Sequence, residues 1–101
     1  MRIEHFTNRR TGTHYYRITK NQAKKLFAGG HTILIAPIKA NMHCIFQTWA
    51  IMQYNGIDGT TPEQDFERIS NSFAYYNCNN EMGTYCKYFA PASVIEQHLS
   101  R

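Results

Sequence analysis

The chain has 101 residues, 43% of them hydrophobic and 14% aromatic, which fits one small domain and excludes a disordered chain. Its net charge of +4 is lopsided: residues 1–39 hold eight Lys/Arg against one acid, Glu4, while residues 40–101 hold three Lys/Arg against six acids. Two readings follow, a basic face for an anionic partner or a basic half facing the chain's own acidic half.

The first segment, Arg2 to Phe6, alternates apolar and polar side chains and reads as a short strand. Thr7 to Gly12 is a turn, with Asn8 and Gly12 suited to unusual backbone angles. Thr13 to Ile18 is rich in β-formers and reads as a second strand that pairs with the first as a hairpin. Thr19 then opens a helix, because Thr19 and Gln22 stand at capping-box spacing. Ala23, Leu26 and Phe27 form its apolar face, and Gly29-Gly30 ends it.

His31 to Ala36 is a strand whose Ile33-Leu34-Ile35 run suits burial on both faces. Cys44 to Tyr54 fits two periods: alternation reads as a strand, and Ile45, Trp49 and Met52 also fit a helix. The β-branched and aromatic content favours the strand. Asn55 to Gly59 is a loop. Thr61 caps a second helix, with Pro62 at its first position, Gln64 completing another capping box, and acids in the first turns. Phe66, Ile69, Phe73 and Tyr76 make its buried stripe, so Tyr75 points the other way. Thr84 to Phe89 is a last strand, and a short amphipathic helix follows Pro91.

The expected architecture is therefore a single α+β domain over residues 1–101, in β-β-α-β-β-α-β order. A small antiparallel or mixed sheet would carry two helices on one face. The inner β-α-β-β-α-β order is that of a ferredoxin-like split unit. The longest apolar stretch, Ile33 to Ile38, is too short to span a bilayer, and no signal-peptide pattern is visible. A cytoplasmic protein without a membrane partner is expected.

The three cysteines, Cys44, Cys78 and Cys86, show no framework spacing and read as thiols of a reducing compartment. A Cys78–Cys86 bridge across the Gly83 turn is the alternative. His43 and Cys44 are adjacent, so on a strand they point to opposite faces, and no short-range ligand pair exists. Neither a metal nor a cofactor is expected. No nucleophile elbow or phosphate loop is present, and Glu63, Asp65 and Glu67 are explained by a helix start, so the chain does not read as an enzyme.

Binding of a macromolecule has more support. Arg9, Arg10, Arg17, Lys20, Lys24 and Lys25 cluster in sequence, with Tyr15 and Tyr16 among them. Basic side chains pair with phosphates, and exposed aromatics stack on bases. The plain alternative for the two tyrosines is one core and one surface strand residue. The candidate contact residues are Arg9, Arg10, Tyr15, Arg17, Lys20, Lys24, Lys25 and the outward Tyr75. Oligomeric state stays open, since the acidic half of one copy can meet the basic half of another.

The string Phe-x-Tyr-Tyr-Asn-Cys-x-x-Glu-x-Gly-x-Tyr, from Phe73 to Tyr85, resembles small proteins carried by phages and other mobile elements of Firmicutes-type bacteria. The segment from Tyr16 to Phe27, followed by Gly30 and an apolar strand, resembles the same group. The resemblance covers about half the chain and carries no catalytic residues. It implies an accessory protein acting in the bacterial host's cytoplasm, and anti-CRISPR proteins are similar in size and in lacking enzymatic motifs. Many of those are acidic DNA mimics, whereas this chain is basic. The resemblance therefore implies steric inhibition: a host protein, a CRISPR effector nuclease, is bound and target-DNA loading is blocked. The competing expectation is a DNA- or RNA-binding accessory protein that uses the N-terminal basic face.

Overall fold

The computed structural model describes residues 4–38, 49–56, 59–77 and 86–99, the side chains of 76 and 77 excepted. Strands β1 (His5–Thr7) and β2 (His14–Ile18) form the expected hairpin, and helix α1 (Lys20–Ala28) follows at once. Thr19 caps it: the Thr19 hydroxyl accepts from the Gln22 amide at 3.1 Å, and the Gln22 side chain accepts from the Thr19 amide at 2.9 Å. At the other end Gly30 takes φ +88°, and the amides of Gly30 and His31 donate back to the Phe27 and Leu26 carbonyls. That left-handed position favours glycine and closes the helix.

Strands β3 (Ile33–Pro37) and β4 (Ala50–Met52) come next, then helix α2 (Pro62–Asn77), strand β5 (Cys86–Pro91) and helix α3 (Ala92–His98). α2 repeats the capping box with Thr61 and Gln64, at 3.2 and 3.0 Å. The strand reading of Cys44–Tyr54 holds for Ala50–Met52, while residues 44–48 lie outside the described residues. Arg2 and Ile3, His43, Cys44, Cys78 and Thr84-Tyr85, and the Tyr76 side chain, of which the sequence also carries readings, lie outside them too. β1 runs to Thr7 and β5 to Pro91, each past its expected end, because Thr7 pairs with His14 and Pro91 with Tyr15.

The five strands lie in the order β1-β2-β5-β3-β4, with every neighbour antiparallel. The fold is thus α+β with an antiparallel sheet. Both crossovers, β2–α1–β3 and β4–α2–β5, are split and skip one strand. The gap between β2 and β3 is filled by β5, which leaves the β3–β4 hairpin at one edge and the β1–β2 hairpin at the other.

One face of the sheet carries all three helices. Ile18, Ile33, Ile35, Met52, Tyr88 and Ala90 meet Ala23, Leu26 and Phe27 of α1 and Phe66 and Phe73 of α2. The rings interlock: Phe27 meets Phe66 edge-on at 5.5 Å and Phe66 lies 5.4 Å from Tyr88. α3 joins this face through Val94, Ile95 and Leu99. The Tyr88 hydroxyl reaches Ser70 at 3.2 Å, so the buried polar groups here are matched. On the opposite face Phe6, Leu34, Ala36 and Phe89 form a second apolar cluster with Tyr15 against it. Among the described residues no helix is long and apolar enough to cross a membrane.

Candidate binding surfaces

The basic residues that cluster in sequence separate in space. α1 leaves the sheet plane at Thr19, so its lysines lie on the helix side while Arg17 lies on the other. Lys24 bonds Glu67 of α2 at 2.9 Å and Lys20 stands 3.6 Å from the same carboxylate. The Lys24 hydrogen bond holds the Glu67 carboxyl below its usual value; partial burial opposes this, and the charge of Lys20 adds to it. Lys24 also lies 6.0 Å over the Phe66 ring. These two lysines therefore join α1 to α2, which is the internal-neutralisation reading of the charge asymmetry.

Arg17 is opposite Phe89 on the far face and reaches Glu4 at 3.5 Å. The other Glu4 oxygen holds Lys87 at 2.6 Å. Lys87 is only 4% exposed, and its ammonium lies 5.9 Å from the Phe89 ring. Tyr15 is on this side too, half-buried and stacked on Phe6 at 5.2 Å. Of the two tyrosine readings, the plain one describes this pair: Tyr15 packs and Tyr16 is a surface strand residue.

Arg9 and Arg10 are exposed in the β1–β2 turn, and Lys25 is exposed in the last turn of α1. None of the three makes an ion pair among the described residues. Tyr75 is 74% exposed on the outer side of α2, as its offset from the Phe66–Phe73 stripe requires. The eight candidate contact residues thus fall in five places: the hairpin turn, the far face of the sheet, the α1–α2 junction, the last turn of α1 and the outside of α2. Among the described residues no continuous basic face joins them.

A different surface has its own character. Ile51 on β4 is 63% exposed, and Trp49 and Ile38 at the same end of the β3–β4 pair are 40% exposed each. Ile51 is opposite Leu34, so it faces the helix-free side. β4 is the last strand of the sheet, and among the described residues nothing pairs its outer edge. The signal that marks this region was present in the sequence: no Asp, Glu, Lys or Arg occurs between Lys39 and Asp58. Edge strands are usually blunted by such charges. At the other edge, β1 is flanked by Glu4, Arg9 and Arg10.

Among the described residues no group of three or more His, Cys, Asp or Glu stands together as metal ligands would. Asp65 is buried, but its carboxylate is taken by Arg68 of the same helix at 2.6 Å. Cys86 is half-buried on β5. Against known proteins, no family model, no curated protein and no solved structure matches this chain.

Proposed function

We propose that this chain is a non-enzymatic phage or mobile-element protein that docks on a host defence complex, an anti-CRISPR that blocks target-DNA loading by a CRISPR effector nuclease. The observation that carries the docking is the exposed Trp49, Ile51 and Ile38 beside an uncharged edge strand. Protein interfaces are enriched in such aromatic anchors and depleted of charge at their centre, and an open edge accepts a partner's strand. The engagement of Lys20, Lys24 and Arg17 with Glu67 and Glu4 also reduces the basic surface that wrapping a nucleic acid would need. The CRISPR target itself comes from the resemblance of Phe73–Tyr85 and Tyr16–Phe27 to mobile-element proteins.

An order-of-addition cleavage assay tests this. Protein mixed with the effector before target DNA suppresses cleavage, and protein added after DNA loading does not. Ile51→Lys places a charge at the docking surface and raises the protein concentration needed by on the order of ten-fold. Undiminished cleavage at saturating protein refutes the CRISPR reading. Full inhibition by Ile51→Lys moves the contact away from β4.

A further inference from the structure

The β1–β2 hairpin is braced on every rung. On the helix side His5 stacks on Tyr16 at 5.2 Å and 21°. On the other side Phe6 stacks on Tyr15 at 5.2 Å and 15°. On the third rung the Thr7 hydroxyl meets His14 Nδ1 at 2.8 Å. The turn is fixed as well. Asn8 Oδ1 accepts from the amides of Arg10 and Thr11 at 2.9 and 3.3 Å, the Asn8 carbonyl accepts from Gly12 at 2.7 Å, and Gly12 takes φ +76°. A side-chain carboxamide that occupies local amides in this way holds a turn in one conformation.

The last rung between β2 and its inner neighbour is Tyr15 with Pro91, so residues 8–13 extend past the sheet. Arg9 and Arg10 are the only Asp, Glu, Lys or Arg residues between Glu4 and Arg17. Both are exposed, and neither is paired among the described residues, whereas Arg17, Lys20, Lys24, Arg68 and Lys87 all hold a carboxylate. The turn thus presents two adjacent guanidiniums on a preorganised arm. Guanidinium forks match phosphate oxygens, and preorganisation lowers the entropy lost on contact. The exposed His5–Tyr16 stack, two rungs back along the hairpin from Thr7–His14, offers a ring surface on which a nucleobase can pack. Guanidiniums at the tip of a hairpin that carries exposed rings further along favour nucleic acid over an acidic peptide.

We infer that the β1–β2 arm is a nucleic-acid contact, with Arg9 and Arg10 on adjacent phosphates, and that Lys20 and Lys24, engaged by Glu67, take no part. This goes beyond the docking reading and does not depend on it, since the arm and the β4 edge are at opposite ends of the sheet.

Fluorescence anisotropy of a short labelled DNA duplex and of one of its strands, with no effector present, is the test. The wild-type chain binds weakly at low salt. Arg9→Ala/Arg10→Ala reduces affinity by roughly ten-fold or more and removes about 1.8 from the slope of log affinity against log salt on the duplex, the share of two phosphates. Lys20→Ala/Lys24→Ala binds like the wild type. Asn8→Ala keeps both charges but frees the turn, so it weakens binding at nearly unchanged slope. Arg9, Arg10 and Lys20 are exposed, Asn8 is in the turn and Lys24 is half-buried in α1, and an unchanged far-UV spectrum verifies the folding of each variant. Wild-type protein that does not bind at low salt, or an Arg9/Arg10 double variant that binds equally well, overturns the assignment. Poly-glutamate that competes as well as DNA of equal charge overturns the nucleic-acid class and points to an acidic protein.

Discussion

Thr19 and Thr61 each close a helix start with one hydroxyl, and each gains a returning bond from a glutamine three residues on. Removing the hydroxyl strands an amide that has no helical partner. Thr19→Ala therefore costs about 1 kcal/mol, seen as a lower denaturant midpoint at unchanged slope. These caps were legible in the sequence because both partners lie within four residues. The stop at Gly29-Gly30 was legible for the same reason. The partners of the lysines were not. Lys20 and Lys24 read as outward-facing cations on their own helix, and only the packing of α2 brings Glu67 beside them. Tyr15 and Tyr16 lay between these cases: alternation separates their faces, but the stacking of each on β1 depends on hairpin register.

α1 and α2 are joined by an apolar contact and a charged one. Phe27 and Phe66 meet edge-on beneath, and Glu67 takes Lys24 and Lys20 above. The Glu67 carboxyl is held below its usual value near 4.5, chiefly by the Lys24 hydrogen bond. A group depressed in the folded state stabilises it above the unfolded value and loses that contribution as pH falls through the folded one. Glu67→Gln is therefore less stable than the wild type at neutral pH by at most about 1 kcal/mol, since the pair is largely solvated. The gap closes below the usual carboxylate range and narrows in high salt, and thermal unfolding at a series of pH values and salt concentrations measures both. The element order was largely legible, because most of the elements carry a local period or cap, whereas the segment that holds β4 fitted two periods and was less sharply marked. The neighbour order in the sheet was not legible. It depends on which strand fills the space under each crossover, and periodicity carries no record of that.

Glu4 and Lys87 meet at 2.6 Å although 82 residues separate them in sequence, and the contact ties the start of the β1 segment to the middle of the sheet across β2. Lys87 is nearly inaccessible, whereas Glu4 is about a quarter exposed and also serves Arg17. The two ends of the pair therefore have unequal consequences. Glu4→Ala leaves an ammonium in a poorly hydrated site beside Phe89 and costs about 2 kcal/mol. Lys87→Met keeps the apolar stem over that ring, and Glu4 retains Arg17 and water, so the cost is below about 1 kcal/mol. If the pair acts as a unit, Glu4→Ala costs little once Lys87 is already Met. Urea unfolding of the two single variants and the double variant gives the coupling directly. A Glu4→Ala cost that is equal in both backgrounds would mean that Glu4 and Lys87 are not coupled. In that case the first strand is attached through its hairpin, and the braced arm rather than the ion pair keeps the edge of the sheet in register.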